Sequence, residues 1–278
     1  MEAQKGKVNG AAVDLKDLEC FVFDMDGTIN LGNTIIDGAL ELIDTLEKRG
    51  TKFFFFTNNS SKSPLDYVAK LKKLGFQHVG LEHIVTSGDV MIHYLKQQFG
   101  AHPKVYLSGT KELKRQFMQQ QVHLGEVGDF SVDALVVGFD TEFDYERADF
   151  ACQLIEAGKP FLATNIDRVC PLEGGRYMPD CGSICTMLEH ATGRQVKYVG
   201  KPFTETVDFI LDVAKTPNYK TAMVGDRLYT DIATAVNGGI CSIAVLSGEI
   251  DMDDILQSEI QPDYILDSVK DIYREIEE

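Results

Sequence analysis

Short runs that are apolar at every position alternate along the chain with longer runs that are apolar only at helical spacing. Cys20-Phe21-Val22-Phe23 and Phe53-Phe54-Phe55-Phe56 present no polar face, as strands covered on both sides of a parallel sheet require. Val105-Tyr106-Leu107, Ala134-Leu135-Val136-Val137, Phe161-Leu162-Ala163, Ala222-Met223-Val224 and Ile243-Ala244-Val245-Leu246 repeat the pattern. Between them, Ala39, Leu40, Leu42, Ile43 and Leu46 follow helical spacing and stop at Arg49-Gly50, a basic last turn before a capping glycine. Tyr67 to Leu74 ends in the same way at Gly75, and Tyr145 to Ala157 at Gly158. Strand and helix in regular alternation predict an α/β fold built on a parallel sheet.

The polar residues that end these strands carry the chemistry. Phe21-Val22-Phe23 runs straight into Asp24-Met25-Asp26-Gly27-Thr28. In extended backbone, residues i and i+2 share a face, so Asp24 and Asp26 project to one side of the strand end. Open α/β sheets build their sites at that end. Two carboxylates held this close repel, and the pair calls for a cation or a shared proton. An Asp-Gly turn accounts for Asp26 but gives no reason for Asp24. Phe53–Phe56 ends in Thr57-Asn58-Asn59-Ser60, and Ala222–Val224 ends in Gly225-Asp226-Arg227 with Asp231 five residues after Asp226. Lys201 stands before Pro202, which is placed to open a helix from Phe203.

Composition narrows the partners. The 278 residues carry 27 Lys+Arg against 43 Asp+Glu, a net charge of −16. That balance argues against a nucleic acid polymer or an anionic membrane surface as partner. No stretch approaches the roughly 20 apolar residues that span a bilayer. Met1 to Asp17 lacks the apolar centre of a signal peptide. The six cysteines are scattered, and Cys181 and Cys185, one helical turn apart, find no zinc-type partners, so reduced thiols in a cytoplasmic protein are expected. The six histidines show no metal-ligand spacing, and Gly174-Gly175-Arg176 reads as a tight turn, without the strand–loop–helix context of a phosphate loop.

Taken in order, Asp24-x-Asp26-Gly27-Thr28, Thr57, Lys201 and Gly225-Asp226…Asp231 resemble the four motifs of the haloacid dehalogenase superfamily of phosphohydrolases. Thr57-Asn58-Asn59-Ser60, Ala163-Thr164-Asn165-x-Asp167, Gly200-Lys201-Pro202, Gly225-Asp226-Arg227-x-x-Thr230-Asp231 and Pro262-Asp263-Tyr264 are similar to its NagD-like or para-nitrophenyl phosphatase branch, whose cap is of class IIA. Pro179-Asp180-Cys181-Gly182-Ser183 departs from that branch, which more often has small residues before the Gly-Ser.

The resemblance implies a Rossmann-like, doubly wound parallel-sheet core with an inserted α/β cap. It also implies a Mg²⁺-dependent phosphatase that works through an aspartyl-phosphate. Asp24 would be the nucleophile and Asp26 the general acid and base. Mg²⁺ would take Asp24, Asp226 and the backbone carbonyl of Asp26, with Asp231 orienting its waters. Thr57, the Asn58 N–H, Lys201 and Arg227 would meet the phosphoryl oxygens. The acid at Asp26 favours phosphoryl transfer over attack on carbon. A phosphotransferase or phosphomutase, or a catalytically quiet binding protein, stays open as an alternative.

From Thr57 to Lys201 is 144 residues, far more than one crossover needs. The layout expected is therefore a discontinuous core, 1–84 and 191–278, with the cap at 85–190. Such a cap would choose the leaving group and is a candidate surface for a homo-oligomer. Asn165 and Asp167 follow a buried strand, where a substrate-facing loop and an Asx-type turn are equally compatible with the sequence. A small phosphorylated metabolite is the expected partner: a nucleotide, a sugar phosphate, phosphoglycolate or pyridoxal phosphate.

Overall fold

The computed structural model describes residues 6–7, 13–172 and 176–277. Gly174 and Gly175 of the expected turn, and residues 1–5 and 8–12 of the polar N-terminal segment, lie outside the described residues. The chain forms two compact units, one of residues 1–57, 64–85 and 201–278, the other of 58–63 and 86–200.

The first unit is an α/β sheet fold. Its strands lie in the order Gly6–Lys7, Tyr264–Leu266, Cys241–Val245, Thr221–Gly225, Cys20–Phe23, Lys52–Thr57 and Ile84–Thr86. Gly6–Lys7 pairs antiparallel at the edge, and the registered neighbours from Tyr264–Leu266 to Lys52–Thr57 are parallel. Counted from Cys20–Phe23 in chain order, the other six strands stand 3-2-1-4-5-6, a doubly wound sheet whose order reverses between the first and fourth. Asp24 and Asp226 leave those two strands, and the Asp24 N–H donates to Val224 O at 2.8 Å.

Every residue of Cys20–Phe23 and Thr221–Gly225 is buried, as the apolar runs Cys20–Phe23 and Ala222–Val224 require. Phe21, Phe23, Phe53, Phe55, Val224 and Val245 fill one face with the helices Ala39–Arg49 and Val269–Glu277. Ala244 and Ile265 pack on Ile232, Ile250 and Ile255. Burying each such phenylalanine contributes roughly 1.5–3 kcal/mol. Gly50 closes the first helix in the left-handed conformation (φ 70°), and its N–H returns to Leu46 O and Glu47 O. The helix expected at Tyr67 starts earlier, at Pro64, and ends at Lys73. The helix after Pro202 begins at Thr204 with Phe203 as its cap. Between the first two core strands, Asn30–Leu31 and Thr34–Ile35 form a small antiparallel hairpin.

The second unit has its own parallel sheet, ordered Lys197–Tyr198, Phe161–Ala163, Ala134–Val137, Lys104–Ser108 and His123–Leu124. Tyr106, Leu135, Val137, Phe150, Leu154, Cys181, Cys185 and Leu188 share its core. This unit runs to Gly200, ten residues past the 190 read from the sequence, because Lys197–Tyr198 pairs with Phe161–Ala163. Among the described residues no helix is long and apolar enough to cross a membrane.

Candidate active site

In the first unit four residues converge: Asp24 and Asp226 from two strand ends, Lys201 from a loop and Asp231 from the helical turn Leu228–Ile232. Lys201 is buried, and its Nζ lies 2.5 Å from Asp24 Oδ1 and 2.6 Å from Asp231 Oδ1. Its ammonium also lies 5.0 Å from the Phe56 ring centroid. Asp24, Asp226 and Asp231 each present a carboxylate oxygen, and these oxygens lie within 4.8 Å of one another. The wide turn after Asp226 brings Asp231 back: both the Asp231 and Ile232 N–H groups reach Arg227 O, at 3.1 and 3.2 Å. Asp231 Oδ2 then accepts the Arg227 N–H at 3.2 Å.

Asp226 is held from several sides. Its Oδ2 accepts the Glu249 N–H at 2.8 Å, and its Oδ1 accepts Thr28 Oγ1 at 3.3 Å. Its carboxylate fills the space where a Cβ on Gly27 or Gly248 would stand, and Gly27 adopts φ +100°, a conformation that favours glycine. Ser247 Oγ donates to Gly27 O at 2.7 Å, tying together the two loops that form this cradle.

The electrostatics have one origin, an excess of buried carboxylates over cations. Burial raises the Asp226 carboxyl to about 6, and the neighbouring Asp24 adds to the rise. Burial raises Asp231 to about 7, with Asp24 and Asp226 adding to it against the opposing pull of Lys201. Burial works against the charge on Lys201, but Asp231 and Asp24 outweigh it and hold the amine protonated above its ordinary range. Arg227 behaves alike: burial opposes its charge, and Asp24 and Glu249 are among the groups that more than restore it. Its Nε lies 2.8 Å from Glu249 Oε2.

Such a cluster fits a hard divalent cation. In octahedral coordination at about 2.0–2.1 Å, ligand oxygens lie ~3 Å apart when adjacent and ~4 Å when opposite, which the spread of these carboxylates accommodates. Asp24 and Asp226 are the better-suited pair, because Asp231 gives one oxygen to the buried Lys201 ammonium at 2.6 Å and the other to the Arg227 N–H, whereas the donors to Asp226 are neutral, the Glu249 N–H and the Thr28 hydroxyl. The direct Lys201–Asp231 pair was not foreseen from the sequence, which pointed Asp231 toward metal-bound water.

Of the other residues singled out from the sequence, Asp26 is exposed and its Oδ1 accepts Asn30 Nδ2 at 2.6 Å and Lys70 Nζ at 3.0 Å. Thr57 closes its strand, half-buried, and the Phe23–Phe55 register puts it at the same sheet end as Asp24. Asn58 belongs to the second unit, where its Nδ2 donates to Asp167 Oδ2 at 2.8 Å. Asn165 is fully buried there and donates to Asp167 at 3.0 Å and Asp180 at 3.4 Å. Asp180 caps the helix Cys181–Thr192 by accepting the Cys181 N–H, and burial pushes its carboxyl up to about 7. Asn165 thus anchors a loop onto a helix cap. Sequence reasoning placed Thr28 in the first motif without its bond to Asp226, and missed Asn30, Lys70, Gly248 and the Glu249 N–H, of which only Asn30 carried a signal, through closeness to Asp26.

Comparison with known proteins agrees with this geometry. Residues 21–123 match a family model described as haloacid dehalogenase-like hydrolase, and residues 198–272 match a HAD-hydrolase-like model. An acid sugar phosphatase of Staphylococcus epidermidis is 33% identical over 262 residues, covering 93% of this chain and 96% of that protein. A 4-nitrophenylphosphatase from Thermotoga maritima superposes with a TM-score of 0.88 at 38% identity, covering 94% of this chain and 98% of the other. NagD from Escherichia coli K-12 gives 0.83 at 27% identity, with 91% and 97% covered. A glycerol phosphate phosphatase from Mycobacterium tuberculosis in complex with magnesium gives 0.85 at 28%, with 95% and 78% covered. With its acidic cluster at the reversal point of a doubly wound sheet, the chain belongs to the haloacid dehalogenase-like hydrolases, as an enzyme of the branch that holds NagD and the 4-nitrophenylphosphatases.

Proposed function

We propose that this enzyme hydrolyses a small phosphate monoester, with Asp24 attacking phosphorus and Mg²⁺ held by Asp24, Asp226 and the Asp26 carbonyl. The observation that carries this reading is the buried Lys201 ammonium, 2.5 Å from Asp24 Oδ1 in a cluster with Asp226 and Asp231. A phosphate dianion repels an anionic nucleophile, so the site must work by positioning and charge neutralisation. Mg²⁺, when bound, supplies neutralisation of the charge shared by nucleophile and phosphoryl group.

The protein's own groups do the rest. Lys201 holds Asp24 through Oδ1 and is itself fixed by Asp231, so the nucleophile and its counter-charge are set before substrate arrives. Arg227, kept charged by its acidic neighbours, adds a second cation for phosphoryl oxygens. Thr57, at the end of its strand in the first unit, is assigned to the same oxygens. Asp26 protonates the leaving oxygen and then takes a proton from the water that resolves the aspartyl-phosphate.

The names of the relatives favour a sugar phosphate or similar small ester. The scattered cysteines of the sequence are in keeping with a cytoplasmic enzyme. Phosphate release from a panel of esters, 4-nitrophenyl phosphate included, tests the reading. Turnover should stop with a chelator and return with added Mg²⁺. Turnover that persists without divalent metal would count against it.

A further inference from the structure

The candidate acid and base, Asp26, is held by two donors that reach the same oxygen. Asn30 Nδ2 lies 2.6 Å from Asp26 Oδ1, and Lys70 Nζ lies 3.0 Å from that atom. Asn30 is completely buried, on a tight turn in which the Gly27 N–H donates to Asn30 O at 2.7 Å and the Asn30 N–H to Met25 O at 3.1 Å. Its Nδ2 also donates to Gly32 O at 3.0 Å, so both amide hydrogens are used. The amide has one workable orientation, because turning it over would aim its oxygen at two acceptors.

That orientation has a cost. Among the described residues, Asn30 Oδ1 is buried without a hydrogen-bond partner. A buried acceptor loses its bond to water on folding and here gains none in return. An apolar side chain of similar volume would avoid that cost, so packing gives no reason for an amide here. The donor aimed at Asp26 does.

We infer that Asn30, assisted by Lys70, is a positioning residue that reserves Asp26 Oδ2 for the proton; this rests on the acid and base role given to Asp26 above. Oδ1 has two in-plane lone pairs and receives two donors, so a proton placed there would face N–H groups. The transferable proton is therefore on Oδ2. In the first half-reaction an Asp24 carboxylate oxygen bonds to phosphorus as the ester P–O bond breaks; the electron pair of that bond stays on the leaving oxygen, which takes the Oδ2 proton and leaves Asp26 a carboxylate. In the second, water oxygen bonds to phosphorus and the bond to Asp24 breaks with its pair returning to the Asp24 carboxylate. The water proton goes to Asp26 Oδ2, and inorganic phosphate leaves.

The test compares kcat/KM for alkyl phosphates and for 4-nitrophenyl phosphate in Asp26→Asn, Asn30→Leu, Lys70→Met and Lys70→Arg. A nitrophenolate needs little protonation to leave, whereas an alkoxide needs it fully. Asn30→Leu and Lys70→Met should each slow alkyl esters about 10-fold more than the nitrophenyl ester, with Lys70→Arg keeping the wild-type ratio. A ratio taken within one protein is unaffected by loss of folded material, and Lys70, whose side chain is 25% exposed and lies outside the hydrophobic core, provides a variant that leaves the core in place. Equal slowing of all esters in Asn30→Leu and Lys70→Met, while Asp26→Asn is selective, overturns the positioning role. Equal slowing in Asp26→Asn as well removes the acid role of Asp26 and the proposal with it.

Discussion

Lys201→Met removes the one ammonium inside the acidic cluster, and its consequences can be worked from the contacts. The Lys201 side chain is 2% exposed, and its partners Asp24 and Asp231 are 14% and 0% exposed. Taking one partner from a buried ion pair costs about 3–5 kcal/mol, because a charge is left buried and uncompensated. That is a large share of a total stability of about 5–15 kcal/mol. The deficit should depend on pH, with a definite sign. Burial and neighbouring acids hold Asp231 at about 7 and Asp226 at about 6, above the ordinary 3.8. For groups raised in this way, the stability they contribute is complete below the unfolded value and is lost as pH rises through 6 to 7. Lys201 is the main influence pulling Asp231 down, so its removal lifts that carboxyl further and the folded variant takes up its proton sooner. The deficit of Lys201→Met is then greatest at pH 8 and shrinks by roughly 1–2 kcal/mol toward pH 5.5. Hydrogen exchange in the Thr221–Gly225 strand along a urea series reads the stability of this unit by itself. Added Mg²⁺ should recover part of the loss at pH 8, and kcat should fall by at least ~10²-fold at every pH. A variant as stable as the wild type at pH 8, or one with the same deficit at both pH values, would refute the reasoning.

Three other perturbations probe separate parts of the account. Gly248→Ala puts a Cβ into the Asp226 carboxylate, so the Mg²⁺ concentration for half-maximal activity should rise about 10-fold or more; an unchanged titration would show that the cradle is dispensable. Asp180 is held at about 7 by burial, so the second unit should lose stability as pH rises from 5 to 8, by up to ~2.5 kcal/mol. Asp180→Asn keeps a helix-capping oxygen and should flatten that slope, as read by exchange in the Cys181–Thr192 helix. Arg227→Met should weaken competitive inhibition by inorganic phosphate about 10-fold or more, since it removes one cation assigned to the phosphoryl oxygens; undiminished inhibition would withdraw that role.

The sheet of the first unit was legible where burial on both faces left its mark. Cys20–Phe23, Ala222–Val224 and Ile243–Val245 are unbroken apolar runs because the sheet is covered on both sides. Ile84–Thr86 and Lys197–Tyr198 were not, being too short to show a period. The second of these moved the unit boundary to Gly200. Asp24, Asp226 and Lys201 could be assembled because motifs in a fixed order stand in for distance, even across 177 positions. No such order announced Lys70, 44 positions from Asp26 on a helix whose lysines look alike in sequence. The Glu249 N–H and the Gly248 cradle act through backbone and missing atoms, which side-chain chemistry does not advertise. Asn165 and Asp167 were equally readable as site or as turn, and the hydrogen bonds to Asn58 and Asp180 show what the loop holds together.

Asp24 as nucleophile is the claim on which the rest depends, and trapping the covalent intermediate tests it most directly. Enzyme mixed with 4-nitrophenyl phosphate and Mg²⁺, quenched in acid within milliseconds and digested, should yield a peptide containing Asp24 with one added phosphoryl group. The same peptide from Asp24→Asn should carry none. A phosphoryl group on another residue, or turnover with no phosphoenzyme while Asp24→Asn stays active, would contradict the account.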